Sequence, residues 1–379
     1  MLYRYATNAK GKPVKKAVIY TRTEHSINPD KVDPDAKRII TMLRQYEHTA
    51  YIVGGAVRDL LVGKTPKDFD IVTDATPMRI KRIFRNARII GKRFRLVHVI
   101  YGPKIFEVCT FRSLEDGTVG NSFGTIDDDA KRRDFTLNAL YYDPINEQIL
   151  DYVGGVKDIA DQKINPVIPL RAIFTEDPVR MIRAIKYAAM TGFSLPFLLK
   201  QQTKKDAALL RDVSPSRITE ELVKIINSGY AAKIVSLALE FNLYIWLQPA
   251  ATAFIAESLN FKTSYLKRLA ALDSNQNPAM RYGERLSYFL HDYVLSLKDW
   301  QKEIEEGTPY SELFDWTWKH CRSFVLPMNP VRTELEFAVR FVLNSIGVPL
   351  KARRKPKTSV RRHQRRHKTA EKSGTKMES

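Results

Sequence analysis

The segment from Tyr51 to Val72, YIVGGAVRDLLVGKTPKDFDIV, restricts the fold more than any other part of the chain. An apolar run meets two glycines and then a stretch with helical spacing, so a strand must turn sharply into a short helix. The segment closes on Asp68, Phe69, Asp70 and Ile71. Side chains alternate along an extended chain, which sends Phe69 and Ile71 into a core and leaves Asp68 and Asp70 together on the other face. Like charges so placed repel unless a cation lies between them.

The same strand-and-helix pattern continues on both sides. DPDAKRIITMLRQYEH reads as an amphipathic helix with Ile39, Ile40, Leu43 and Tyr46 near one face. Short strands are predicted at AYIVGG, FDIV, RLVHVIY and KIFEVCTF, with helical stretches such as PMRIKRIFRN between them, up to about residue 151. Beyond LDYVGGVKDI strands fade, and DPVRMIRAIKYAAMTG, PSRITEELVKIINSG, AAKIVSLALEF, ERLSYFLHDYVLSL and RTELEFAVRFVLNSI all repeat at helical spacing. The expected fold class is α+β, a mixed sheet with helices followed by an all-helical region. The expected division is a basic, irregular lead-in over 1–35, a head over 36–160, a helical neck over 161–230, a helical body over 231–348 and a basic, disordered tail over 349–379.

Charge narrows the class of partner. Lys and Arg number 62 against 42 Asp and Glu in 379 residues, a surplus of +20 that favours a polyanion: RNA, DNA or an anionic membrane surface. Half of it, twelve basic residues less two glutamates, lies in residues 351–379. No run approaches a membrane span, so stable insertion is not expected, and the N-terminus lacks the apolar core of a secretion signal. The two cysteines, Cys109 and Cys321, stand in apolar or aromatic surroundings and read as buried, reduced thiols of a cytoplasmic protein.

The carboxylates carry the chemistry. A divalent ion such as Mg²⁺ is the usual partner of an Asp-x-Asp strand end where phosphates are handled, and two-metal phosphoryl transfer generally takes a third carboxylate from a neighbouring strand. Glu107 in KIFEVCTF is the candidate. Gly54 and Gly55 let the backbone approach a phosphate and present N–H groups at a helix start, although a glycine pair is equally a tight turn. Arg58-Asp59 alone reads as well as a surface ion pair. Strand, Gly-Gly, Arg-Asp and Asp-x-Asp in this order are far more specific than any one of them.

In that order the chain resembles the class II nucleotidyltransferases, which comprise CCA-adding tRNA nucleotidyltransferases and bacterial poly(A) polymerases. The likeness spans roughly residues 20–230 and implies a polymerase-β-like head. GGAVRDLLVGKTPKDFDIVTDATP resembles the catalytic signature, which implies that Asp68, Asp70 and Glu107 hold two Mg²⁺ and that Gly54, Gly55 and Arg58 lie near the triphosphate of ATP. RRDFTLNALYYD resembles the ribose-recognition motif and implies Arg133, Asp134 and Asn138. DYVGG, with Gly154 and Gly155, resembles a flexible hinge. EDPVR implies that Asp177 and Arg180 face the incoming base, and SPSRITEEL resembles a helix-stabilising motif with Ser214, Arg217 and Glu221.

Each motif also has a plainer reading. Asp134 and Asn138 are four apart on a predicted helix and so converge on one ligand, while Asp127 to Asp129 cap that helix. Asp177 before Pro178 has the form of an N-cap with proline at the first helical position, closed by Gly192. Ile182, Ile185 and Ala189 read as core, and His291 as an ordinary helix histidine. Within the family, the basic turn Lys92, Arg93 and Arg95 in IIGKRFRLVHVIYG, the lead-in YTRTEHSINPDKVDPDA and the basic tail favour the poly(A) polymerase branch, with RNA 3′ ends as partner. CCA addition is the nearest rival, and a non-catalytic RNA-binding protein the rival of another class. No signal identifies protein partners such as RNA-decay machinery.

Removing residues 351–379 should weaken RNA binding and flatten its dependence on salt while leaving the fold intact, as measured by binding across a salt series. Unchanged affinity at low salt would contradict the reading of this tail as a solvated polycation.

Overall fold

The computed structural model describes residues 2–7, 12–91, 96–113, 123–275 and 277–348. The basic turn at residues 92–95 and the tail beyond 348 therefore lie outside the described residues. Among these residues one nine-stranded sheet runs in the order β1-β2-β9-β8-β3-β4-β7-β6-β5. Its strands are β1 (Leu2–Thr7), β2 (Pro13–Tyr20), β3 (Ala50–Val53), β4 (Asp70–Thr73), β5 (Ala87–Ile90), β6 (Leu96–Tyr101), β7 (Lys104–Thr110), β8 (Leu140–Asp143) and β9 (Gln148–Asp151). Every pairing is antiparallel except β4 with β7.

Alternation along these strands builds two faces. Ile52, Ile71, Val108 and Tyr142 point to one face, where α1 (Pro34–Gln45), α2 (Gly55–Leu61) and α3 (Pro77–Ile83) bring Ile39, Val57 and Ile80. Their neighbours Val53, Val72, Tyr141 and Leu150 point to the other, where α4 (Ile126–Lys131) contributes Ile126 and Ala130. The first core continues without a break into helices that begin with α5 (Gly155–Ala160), α6 (Leu170–Glu176), α7 (Val179–Thr191), α8 (Phe197–Asp206) and α9 (Pro215–Ile226). Eight more follow among the described residues, α10 (Ala231–Glu240) to α17 (Arg332–Ser345), and all five helical windows read from the sequence fall on helices. Ile182, Ile185 and Ala189 are core, as their spacing predicts, and His291 lies within α14 (Tyr282–Leu297).

Several expectations need correction. The lead-in is not irregular: β1 and β2 form a hairpin, and β2 joins the sheet through Val18 opposite Asp151. Its lysine-rich alternation has little apolar signal because most of the hairpin is solvent-facing. Tyr46 is 48% exposed at the end of α1, outside the face formed by Ile39, Ile40 and Leu43. Cys321 is buried, but Cys109 is only partly so. No helix carries Asp134 and Asn138. α4 stops at Lys131, Phe135 is extended, and Thr136–Asn138 forms a single tight turn. The chain leaves the helix there because Thr136 N–H donates to Asn165 O at 2.9 Å and Phe135 bridges Pro166.

That turn is fixed from below by the junction after β9. The Asp151 carboxylate accepts from the N–H groups of Val153, Gly154, Gly155 and Val156 at 2.7–3.1 Å, pinning the start of α5. Gly154 is left-handed, with φ +88°, and its missing Cβ faces open space. At Gly155 a Cβ would stand 2.3 Å from Thr136 O. Gly155→Ala should therefore cost roughly 3 kcal/mol, since backbone must move, against roughly 1 kcal/mol for the conformational strain of Gly154→Ala. Urea midpoints test this ranking, and an equal or smaller loss at Gly155 would contradict the close approach.

Candidate active site

The site is assembled where three strands end. β3 runs into Gly54, whose φ of +74° and ψ of −134° suit a residue without a side chain, and α2 starts at Gly55. β4 lies antiparallel to β3 with Val53 opposite Asp70, and parallel to β7 with Ile71 opposite Val108. One residue back along that register stand Asp70 and Glu107. Both line a cavity of about 840 Å³, within the range of small-ligand sites. A Cβ on Gly54 would sit 3.9 Å from both Asp70 Oδ2 and Arg133 Nη1, in ordinary contact, so the backbone angle and not crowding calls for glycine here.

Asp70 faces this cavity and is nonetheless hard to ionise. Loss of hydration, then the Glu107 charge, push its carboxyl up to about 6; Arg133 opposes them and Asp68 adds a smaller upward push. Glu107 is half-exposed and also faces His98 of β6, Nε2 to Oε1 3.6 Å. Asp68 differs from expectation. Phe69 and Ile71 are buried as alternation requires, but β4 begins at Asp70, and Asp68 lies exposed in the approach and does not line the cavity.

Among the described residues no three His, Cys, Asp or Glu side chains are already gathered as a metal-binding group. The donors nevertheless suit a hard divalent cation. Asp70 and Glu107 offer only carboxylate oxygen, and beyond the loss of hydration the Glu107 charge raises Asp70 by more than Arg133 lowers it.

Arg133 is the most heavily bonded cation of the site and is partly buried. Its Nε and Nη2 donate to Asp129 Oδ2 at 3.1 and 2.8 Å, Nε also reaches Tyr141 Oη at 3.2 Å, and Nη1 donates to the Asn138 carbonyl at 3.3 Å. Tyr141 donates in turn to Asp129 at 2.7 Å. Burial disfavours the Arg133 charge, but Asp129 and Tyr141 more than restore it; burial likewise raises Asp129, and Arg133 together with hydrogen bonds from Tyr141 and the Arg112 backbone outweighs that and holds it low. Of the three expected caps, only Asp128 completes a capping box, with Thr125; Asp127 pairs with Lys16 and Lys131.

Asn138 Oδ1 accepts from Arg58 Nη1 at 3.0 Å, and Arg58 is buried, paired with Asp59 and set over the Tyr187 ring. Arg58-Asp59 is thus an internal brace for Asn138 rather than a surface pair. Asp134 lies 3.7 Å from Arg183 and lines the cavity beside Asn138, so the two converge without a shared helix.

At the far end Asp177 has two duties. It accepts from Val179 N–H at 3.2 Å, as a cap does, while both its oxygens lie 2.9 Å from Arg217 Nη2. Pro178 occupies the cap position and Val179 opens α7. Arg180 turns away from Asp177 toward Ile173 O and Glu176, though it too lines the cavity. Below them Glu221 ties α9 to α7 through Lys186 at 3.0 Å, with Lys224 at 2.8 Å; burial alone would raise its pKa, but these lysines and Arg183 bring it down to about 2. The Ser214 side chain makes no cap bond and meets Ser216 instead.

Sequence reading missed Arg112, Arg132 and Arg183. With Arg58, Arg133, Arg180 and Arg217 they bring seven arginines to the cavity wall. Arg183 was legible one turn beyond Arg180 on the same helix. Arg112 and Arg132 stand at element ends, where no periodicity marks them.

The family described as the poly A polymerase head domain matches residues 50–165, and one described as a probable RNA and SrmB-binding site of polymerase A matches residues 192–255. Poly(A) polymerase I of Escherichia coli O6:H1 is 34% identical over 336 residues, covering 82% of this chain and 72% of that protein. The chain belongs to the poly(A) polymerase family. That family is shared with CCA-adding enzymes: the one from Bacillus subtilis is 33% identical over 294 residues, 75% of this chain and 73% of its own length. A CCA-adding enzyme of Bacillus stearothermophilus, solved with CTP, superposes with a TM-score of 0.56 at 27% identity, covering 83% of each chain. As a member of the poly(A) polymerase family the protein is a nucleotidyltransferase. No helix among its described residues is long and apolar enough to cross a membrane.

The raised Asp70 carboxyl gives a pH prediction for the ligand-free protein. Its folded value, about 6, exceeds the ordinary 3.8, so stability from this group is full below pH 4 and is lost as pH rises through 6. Asp70→Asn should raise the melting temperature at pH 7–8 and not at pH 4. A melting temperature lowered at neutral pH would contradict this placement of charge.

Proposed function

We propose that the protein adds AMP from ATP to RNA 3′ ends, without a template, releasing pyrophosphate. The observation that carries this reading is the single cavity in which Asp70 and Glu107 face the glycine turn and a wall of arginines. Such a wall suits a triphosphate, because guanidinium groups pair with phosphate oxygens in a fixed fork. The RNA 3′ oxygen attacks the α-phosphorus, the bond from that phosphorus to the bridging oxygen breaks, and pyrophosphate departs with its electron pair.

Asp70 and Glu107, with Asp68 beside them, would hold Mg²⁺, which when bound neutralises phosphate charge and acidifies the attacking hydroxyl. The remaining roles fall to the chain. Gly54 and Gly55 admit the triphosphate against the start of α2. Arg58 orients Asn138, and Asp129 with Tyr141 fixes Arg133, so that Asn138 and Asp134 meet the ribose with preset geometry. Asp177 and Arg180 border the base, with Arg217 holding Asp177. Gly154, Gly155, Ser214 and Glu221 shape and brace the segments behind them.

We assign catalysis to a head over 36–160, nucleotide and RNA contact to a neck over 161–230, and further RNA contact to a body over 231–348. We assign the reaction to the cytoplasm, as the reading of the two cysteines as reduced thiols suggests. The match to the E. coli poly(A) polymerase spans more of this chain than that to the B. subtilis CCA-adding enzyme, which favours A addition. The structural likeness to an enzyme solved with CTP keeps CCA addition as the second reading.

Purified protein supplied with each NTP singly, on a generic RNA and on a tRNA lacking its last three nucleotides, separates the two. Long A tracts on both RNAs are expected, and Asp70→Asn should abolish them, by roughly a thousandfold or more, while RNA still binds. Addition confined to CTP and ATP on the tRNA would replace the proposal with the second reading, and failure to release pyrophosphate at all would leave an RNA-binding protein.

A further inference from the structure

The sheet face that carries Asp70 and Glu107 is covered unevenly. The core that α4 joins on this face draws on β2, β9, β8, β3 and β4 and takes no residue from β5 or β6. Register decides what stands on the uncovered part. Asp70 is level with Glu107, Glu107 is paired with His98, and His98 with Arg88. Directly opposed residues point the same way, so these four side chains form one rung across β4, β7, β6 and β5. Ile105 with Ile100 flanks the rung on one side and Leu96 with Ile90 on the other, all on the same face by alternation. Ile105 is 57% and Ile90 42% exposed, whereas Ala87, Val97 and Val99 on the opposite face are core.

This end of the sheet is also cationic. Residues 75–106 hold nine Lys and Arg and no Asp or Glu. Arg88 is exposed and pairs with no acid among the described residues. Cations on an edge strand such as β5 are an ordinary guard against pairing with another chain. That guard gives no reason to leave Ile90 and Ile105 uncovered beside them, whereas an uncovered apolar patch with a charged rim is the mark of a binding surface.

The geometry of transfer selects the occupant. In-line displacement holds the attacking and leaving oxygens on opposite sides of the phosphorus. Gly54 ends β3, and Arg133 is held by Tyr141 of β8, so the groups given to the triphosphate lie on the β3 and β8 side of the carboxylates. The attacking oxygen then approaches from the other side, where the sheet continues into β6 and β5. We propose that this open face is the subsite for the last nucleotides of the acceptor RNA. Arg88 pairs with a backbone phosphate, Ile90, Leu96, Ile100 and Ile105 pack against terminal sugars and bases, and His98 stands between that phosphate and Glu107. Two strand spacings separate Arg88 from Glu107, roughly 10 Å, which sets the phosphate upstream of the reacting 3′ oxygen. A guanidinium on a phosphate and apolar side chains against a base read no sequence, as an acceptor site for many RNA 3′ ends requires. This assignment rests on the proposed function, in which RNA is the acceptor.

Binding of a short oligoadenylate and of ATP to the full chain across a salt series tests it. Arg88→Ala should weaken the RNA roughly tenfold. It should also flatten the log–log salt dependence by about 0.7, the share of one phosphate on a single strand, and Arg88→Lys should restore that slope. The Ile90→Ser/Ile105→Ser pair should weaken the RNA roughly fivefold with the slope unchanged, because apolar contacts release no counterions. ATP should bind every variant as it binds the parent. An Arg88→Ala protein with parental RNA affinity and slope, or one that loses ATP as much as RNA, overturns the subsite and leaves AMP transfer standing, as does an isoleucine pair that binds RNA normally. An unaltered protein that binds ATP and no RNA overturns the acceptor assignment and the subsite with it.

Discussion

The parallel register of β4 with β7 is the constraint on which the rest of the site depends. Setting Ile71 against Val108 seals one face of the sheet and Val72 against Cys109 lines the other, and the same register carries Asp70 to the level of Glu107. A parallel pair needs a long crossover, here the segment holding α3, β5 and β6, so two carboxylates from distant parts of the chain are held together by hydrophobic packing. The apolar residues behind them fix the spacing. In front, loss of hydration and then the Glu107 charge keep Asp70 hard to ionise.

Around that pair the protein spends its polar groups on positioning. Arg133 is gripped by Asp129, Tyr141 and the Asn138 carbonyl, so helix α4, strand β8 and the turn bearing Asn138 share one guanidinium. Removing Arg133 would cost roughly 3–5 kcal/mol, because the Asp129 charge would stay buried without it. Arg58 and Glu221 repeat the device, the first bracing Asn138, the second locking α7 to α9 beneath Asp177. The side chains lining the cavity are thus held in place by the protein itself, which under the proposed function lowers the entropy lost when a nucleotide binds.

Much of this was legible in the sequence, and the failures have physical causes. Alternation around Phe69 and Ile71 located β4, and the glycine pair located the turn into α2, because both depend only on local geometry. β8 escaped notice since LYYD is buried on both faces and has no alternation, and β1 and β2 because an exposed edge has little apolar signal. The shared helix for Asp134 and Asn138 failed because a tertiary bond, Thr136 to Asn165, overrides local spacing. Asp177 was open between cap and ligand wall on sequence grounds, and the structure gives it a cap contact to Val179 and a place in the cavity wall. Its partner Arg217 comes from 40 residues away, beyond the reach of any local pattern.

The central claim, that Asp70 and Glu107 form a centre awaiting a divalent ion, is tested most directly by manganese titration of the full chain with a non-hydrolysable ATP analogue, read by electron paramagnetic resonance. Bound manganese in the unaltered protein, lost in Asp70→Asn and weakened in Glu107→Gln, is the predicted result. Equal manganese binding in all three proteins would contradict it.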